Sequence, residues 1–226
     1  MSAFGITKDE VKQLVLRCDL SLDPETWDDA DAERLAREIR KETKPILVAA
    51  NKMDTPEAQA NYAEIVDDPD YEHLTVVPTS AHAEKSLKRA AEAGVVDYLP
   101  GDGDFDIVGD VSDAQATGLE KIREVVESNG GTGVQEALNT AVYDVLDMVT
   151  AYPVQNETKW TDGTGEMLPD AFLLERGSTP ADLAYAVHSD IGDGYLHAVD
   201  ARSARRIGED YELDEGDVIK IVSTAN

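Results

Sequence analysis

The sequence predicts an α/β fold, with a doubly wound layer first and a small β-grasp module last. Three observations predict it. Two short, continuously apolar runs, "PILVAA" (45–50) and "LTVVPT" (74–79), have the pattern of strands in a parallel sheet. Around them the chain alternates helix, strand, helix, strand, helix. The final segment changes grammar and sets short strands around one short helix.

Each element has a local reason. Residues 7–20 read as a helix: Thr7 and Glu10 have capping-box spacing, and Val11, Leu14, Val15 and Cys18 share a face. A second helix covers about 27–43, with Ala32, Leu35, Ala36 and Ile39 at the same period. The runs 45–50 and 74–79 read as strands buried on both faces. A helix near 84–93 turns Leu87, Ala90 and Ala91 inward. "LPGDGDFDIVGD" (99–110) is turn-rich. Two helices follow. One opens at Ser112 with Gln115 three residues on; the other opens at Thr132 with Gln135 three residues on, after Gly130 and Gly131. Val134, Leu138, Ala141, Val142, Val145 and Val149 give the latter a long apolar stripe. "AYPVQNETKWTDGTGEMLP" (151–169) has the composition of a linker. Beyond it, "AFLLE", "GYLHAVDA" and "DVIKIVS" read as strands, and Thr179-Pro180 opens the helix between the first two.

With 226 residues and 42% hydrophobic content, the chain can bury a real core. No apolar run approaches the roughly 20 residues of a membrane helix, and the N-terminus lacks a secretory pattern. The single cysteine, Cys18, cannot form an internal disulfide, which fits a reducing cytoplasm. The charge is unusual: 47 acidic residues against 20 basic ones give −27. The acid is dispersed through "DPETWDDADAE", "DDPDYE", "GDGDFD" and "GEDYELDEGD". Dispersed acid on a foldable sequence suggests a halophile, where molar salt screens self-repulsion; an acidic interaction protein would concentrate its charge in blocks.

The chemistry is carried by Asn51-Lys52-Met53-Asp54, directly after the 45–50 strand. Doubly wound sheets bind ligands at such carboxyl ends. Asp54 there can accept from the N1–H and exocyclic amine of guanine, donors that adenine lacks in that arrangement. Asn51 would contact the base edge and brace neighbouring loops, and Lys52 would lay its aliphatic stem along the base plane. The second strand ends in Thr79-Ser80-Ala81, which resembles the Ser-Ala pair that in GTPases follows the next strand and presents backbone N–H groups to guanine O6. The phosphate half is missing. GxxxxGK[ST] has no match in residues 1–50, "NGGTGVQE" (129–136) lacks the lysine, and "DIVG" (106–109) mimics a magnesium element but reads as a turn.

Through "PILVAANKMD", "VPTSA", "DYLPGDGDF", "GGTGVQEALNTAVYDVLDM", "YPV" and the whole stretch from "LPDAFLLE" to "DVIKIVS", the chain resembles the C-terminal part of archaeal GTP-binding proteins of the Obg/YchF-type branch. That resemblance implies a partial P-loop GTPase-type doubly wound domain with helical segments, closed by a ubiquitin-like TGS domain. On its map, 1–22 is the end of a helical insertion, 23–158 the rest of the G domain with trailing helices, and 166–226 the TGS domain. It implies GTP or GDP as ligand, magnesium only in a complete protein, and a ribosome or RNA as partner. The first third of such a protein falls outside this sequence, as in a fragment, a truncated gene or a misplaced start codon, so hydrolysis by this chain alone is not expected. A sheet without its first strands would expose apolar edges and favour dimerisation. The alternative is a non-catalytic binding module with the incomplete G domain as scaffold.

Other residues are weaker candidates. Arg202, Arg205 and Arg206 are the densest basic cluster; they suit phosphate in RNA, or ion pairs with Glu209, Asp210 and Glu212. Lys85, Lys88 and Arg89 read as a solvated helix face. His73, His82, His188 and His197 lack metal-ligand spacing, and no metal site is expected. Trp27 and Trp160 have no basic stripe that would make a stacking platform, and no catalytic residue is assigned.

Overall fold

The computed structural model describes residues 6–71 and 74–224; His73 lies outside them. The chain divides into two compact units, Met1–Leu138 and Asn139–Asn226.

In the first unit, α1 (Lys8–Arg17) and α2 (Asp29–Thr43) form a pair. Thr7 and Glu10 close the capping box that their spacing predicts. Leu14, Val15, Cys18, Leu20 and Leu35 form the apolar seam, flanked by Ile6, Val11, Trp27 and Ile39. Trp27 is a structural residue there, its indole N–H donating to the Ser21 carbonyl at 2.8 Å. β1 (Leu47–Ala50) runs parallel to β2 (Thr75–Pro78), with Leu47 opposite Thr75 and Ala50 opposite Pro78. They are linked by α3 (Pro56–Asp67), which Thr55 caps and Pro56 opens.

These strands are not buried on both faces as their apolar runs predict. β1 is half-buried with Ala49 exposed, because among the described residues this sheet has two strands. α4 (Ala81–Glu92) begins earlier than its apolar period predicts, since Ser80 is its N-cap. "DIVG" is not only a turn: β4 (Asp106–Ile107) pairs antiparallel with β3 (Val96–Asp97). α5 (Asp113–Asn129) carries the Ser112/Gln115 capping box and ends at Gly130, whose φ of +72° is left-handed. Leu87, Val96, Tyr98, Phe105, Leu119 and Val126 form the core beneath these elements.

The helix expected from Thr132 to Val149 is interrupted. α6 (Val134–Asn139) gives way to a π-helical stretch at Thr140–Val145, and β5 (Met148–Val154) follows. The Thr132–Gln135 capping box does not form, because the Thr132 hydroxyl is bonded to Glu84 instead. In the second unit β5 has a partner on each side, parallel to β9 (Asp217–Ser223) and antiparallel to β6 (Phe172–Glu175). Sheet pairing of Val149, Thr150, Tyr152 and Val154 overrides the helical stripe.

The sheet order is β6-β5-β9-β7-β8, with β7 at Tyr195–Asp200 and β8 at Arg205–Ile207, the arrangement of a β-grasp. α7 (Pro180–Val187) opens on a Thr179/Asp182 capping box, and α8 (Ser189–Asp193) follows it. Leu183 of α7 is fully buried against Val149, Ala151, Leu174, Ala198, Leu213 and Ile219. The linker expected at 151–169 is therefore partly strand. Its remainder folds back through bridges of Thr161 to Asn156 and Met167, and Trp160 packs on Val154, Ala201 and Val218.

Candidate functional site

Asn51, Lys52, Asp54, Ser80 and Ala81 come together where β1 and β2 end. The chain turns after β1 with Lys52 in the left-handed region at φ +72°, which leaves Asn51, Lys52 and Asp54 exposed and Met53 buried. Two backbone bonds carry the parallel ladder past the strand ends: Thr79 N–H donates to the Ala50 carbonyl at 2.9 Å and Met53 N–H to the Thr79 carbonyl at 3.1 Å. Two side-chain bonds then tie the loops. The Ser80 hydroxyl donates to Asp54 Oδ1 at 2.9 Å, and Ala81 N–H donates to Asn51 Oδ1 at 3.1 Å. Gln59 of α3 supports the turn by donating to the Met53 carbonyl at 2.9 Å.

This arrangement has defined capabilities. Asp54 is fixed through one oxygen, while its other carboxylate oxygen keeps its acceptor capacity at an exposed position. Ser80 is fully buried and its hydroxyl also accepts from Ala83 N–H, so one side chain caps α4 and orients Asp54. Ala81 N–H, the donor expected to meet guanine O6, is held by Asn51; the neighbouring His82 N–H has no acceptor among the described residues. His82 and Asp54 are among the residues that line an open groove of about 980 Å³, together with Ala90, Val95, Leu119 and Ile122.

Behind the loops is a polar cluster that motif spacing does not reveal. Glu84, 9% exposed, accepts from the Tyr98 hydroxyl and from the Thr132 hydroxyl, each at 2.7 Å. Burial, with the Glu84 hydrogen bond next, pushes the Tyr98 hydroxyl up to about 12. The one sequence signal was that Glu84 shares the inward face of α4 with Leu87.

The remaining candidates are dispersed. Arg202 donates to the Gly216 carbonyl at 2.9 Å and lies 5.1 Å over the Trp160 ring, so it serves the fold. Arg205 and Arg206 are exposed on β8 and form no ion pair among the described residues, so the pairing with Glu209, Asp210 or Glu212 is not made. Lys85, Lys88 and Arg89 are exposed on α4. His188 caps α8, its Nδ1 accepting from Asp190 N–H at 3.1 Å, and His197 lies half-buried in β7. Among the described residues, no three His, Cys, Asp or Glu side chains are grouped to hold a metal, and no helix is long and apolar enough to cross a membrane.

Known proteins resemble this chain along its whole length. Residues 49–156 match the family model described as the Obg-like GTPase YGR210-like, G4 motif-containing domain, and 165–223 match the TGS domain. An uncharacterized GTP-binding protein of Methanocaldococcus jannaschii is 40% identical over 227 residues, covering 100% of this chain and 56% of that protein. Another from Schizosaccharomyces pombe is 27% identical over 199 residues, covering 82% of this chain and 47% of that protein. The chain thus spans about half the length of the curated relatives it matches. The crystal structure of a GTP-binding protein from Pyrococcus horikoshii superposes with a TM-score of 0.71 at 38% identity, over 99% of this chain and 58% of that one. The TGS match begins after β5, although β5 is an inner strand of the same sheet. Residues 49–156 are thus similar to a G4 motif-containing domain of the Obg-like, YGR210-like kind, and residues 165–223 to a TGS domain.

Proposed function

We propose that residues 51–54 and 80–82 are the guanine subsite of a GTP-binding protein. The observation that carries this is the cross-tie of the two loops, Ser80 to Asp54 and Ala81 to Asn51, which fixes the Asp54 carboxylate before any ligand arrives. Asp54 accepts the N1–H and exocyclic amine of the base. O6 takes the His82 N–H, or displaces Asn51 from the Ala81 N–H. Lys52 covers the base plane. The ligand is GTP or GDP. Magnesium is assigned to the phosphate-binding part of a complete protein, and no step is routed through it.

Aspartate-to-asparagine substitution at residue 54 tests the assignment. An asparagine keeps an acceptor for Ser80 and for N1–H, but it turns an N–H toward the exocyclic position. Xanthine carries a carbonyl there. In fluorescence competition, the wild-type chain should prefer GDP over ADP by about 100-fold or more, and Asp54→Asn should lose GDP and gain xanthosine diphosphate. An unchanged base preference in Asp54→Asn overturns the assignment.

In the whole protein we assign this subsite to a cytoplasmic, salt-adapted GTPase that switches a ribosome- or RNA-linked partner. A second reading rests on Arg205 and Arg206, an unpaired basic pair on a strand at the edge of the TGS sheet. It makes the TGS unit a binding module, with the G4 unit as scaffold. RNA binding that survives Asp54→Asn but falls in Arg205→Ala/Arg206→Ala favours it. Self-association of the chain through the open edges of β1–β2 completes the proposal, and a clean monomer by light scattering in molar KCl contradicts that part.

A further inference from the structure

The glycine-rich stretch Gly130-Gly131-Thr132-Gly133 has no phosphate-binding lysine, yet its geometry gives it a different task. It passes directly behind the end of β2. Gly133 has φ +75°, and a Cβ there would meet the Pro78 carbonyl oxygen at 1.8 Å, so only glycine allows the approach. Thr132 is 2% exposed and bonds in two directions. Its carbonyl accepts from Ser80 N–H at 2.8 Å, and its hydroxyl donates to Glu84 Oε2 at 2.7 Å. Glu84 is one turn beyond Ser80 on α4, and Tyr98 holds the same carboxylate oxygen. The stretch is supported from behind, since a Cβ on Gly103 would meet the Gly130 carbonyl at 3.2 Å.

We infer that residues 130–133 are a strap that positions Ser80 and Ala81 for base recognition, with Thr132 and Glu84 as its positioning residues. This rests on the guanine-subsite proposal and extends it. Ser80 receives the strap through its backbone N–H and passes the position on to Asp54 through its hydroxyl. A buried carboxylate with two donors defines one geometry more sharply than an apolar contact would. The strap therefore sets how well Asp54 tells guanine from adenine.

Thr132→Val keeps the shape and the backbone carbonyl but removes the bond to Glu84, and Thr132→Ser restores it. We expect Thr132→Val to lower the GDP-over-ADP preference by about tenfold and Thr132→Ser to stay within about twofold of wild type. Val111→Ala, a truncation elsewhere against the same core and away from the groove, is the stability control and should leave the preference unchanged. A preference unchanged in Thr132→Val, or lowered equally in Val111→Ala, overturns the inference. Hydrogen exchange of the Ser80 amide reads the strap without nucleotide. Faster exchange in Thr132→Val than in Thr132→Ser supports the strap, and equal exchange overturns it. A wild-type chain without guanine preference but with that exchange difference sinks the guanine-subsite proposal and the strap's role in recognition, while the mechanical tie stands.

Discussion

Ser80 shows how much one side chain decides here. Its hydroxyl accepts from Ala83 N–H at 3.3 Å and donates to Asp54, and its N–H reaches the strap. Ser80→Ala should therefore cost more than an ordinary cap, about 1–2 kcal/mol, measured as a shift in the urea midpoint. A change below about 0.3 kcal/mol would show that the bond to Asp54 contributes nothing to stability. Tyr98 makes a pH prediction. Its hydroxyl is raised from 10.0 to about 12 in the folded chain, so the neutral form is the one folding favours. That stability is fully present below pH 10 and is lost as pH rises through about 12. The difference in urea midpoint between wild type and Tyr98→Phe should shrink across that window; a constant difference would contradict the buried bond. At this scale the meeting of Asn51, Asp54 and Ser80 at the strand ends was legible, because the motif follows a strand directly. Glu84 was not, since a lone carboxylate on an amphipathic helix carries no mark of the threonine 48 residues away that holds it.

Elements follow their local signals where those signals are stereochemical. Thr7 and Ser112 cap the helices that their spacing announces, and Thr179 caps the one that Pro180 announces. Thr179→Ala, which removes the cap of α7, should cost about 1 kcal/mol by thermal or urea unfolding. Leu183→Ala should cost about 2–5 kcal/mol, because Leu183 is fully buried in the β-grasp core. A loss below about 1 kcal/mol would mean that α7 does not seal that core. Signals failed where two periodicities overlapped. Val145 and Val149 extend a helical stripe, but Val149, Thr150 and Tyr152 also suit a strand, and β9 and β6 decide between them from far along the chain. Composition also misled at 151–169, where glycines and acids follow an inner strand. Thr132 failed as a cap for the same reason, since a long-range bond to Glu84 outcompetes the local one.

On the scale of the whole molecule, a net charge of −27 acts on both units. Its repulsion is long-ranged at low salt. Raising KCl from about 0.1 to 1 M shortens the Debye length from about 10 to about 3 Å. The melting temperature should rise by about 5 °C or more over that range. A flat response would mean that the acidic surface does not limit stability. The sequence sets its domain boundary between 158 and 166, whereas the second compact unit begins at Asn139, because β5 pairs with β9 and β6. Base recognition is proposed at one place, the loops at the ends of β1 and β2. Its most direct measurement is amide chemical-shift mapping by NMR of the wild-type chain titrated with GDP and, separately, ADP. The account predicts that GDP shifts the amides of residues 51–54 and 80–82 while ADP leaves them in place. Equal shifts with both nucleotides, or GDP shifts confined to other residues, would contradict it.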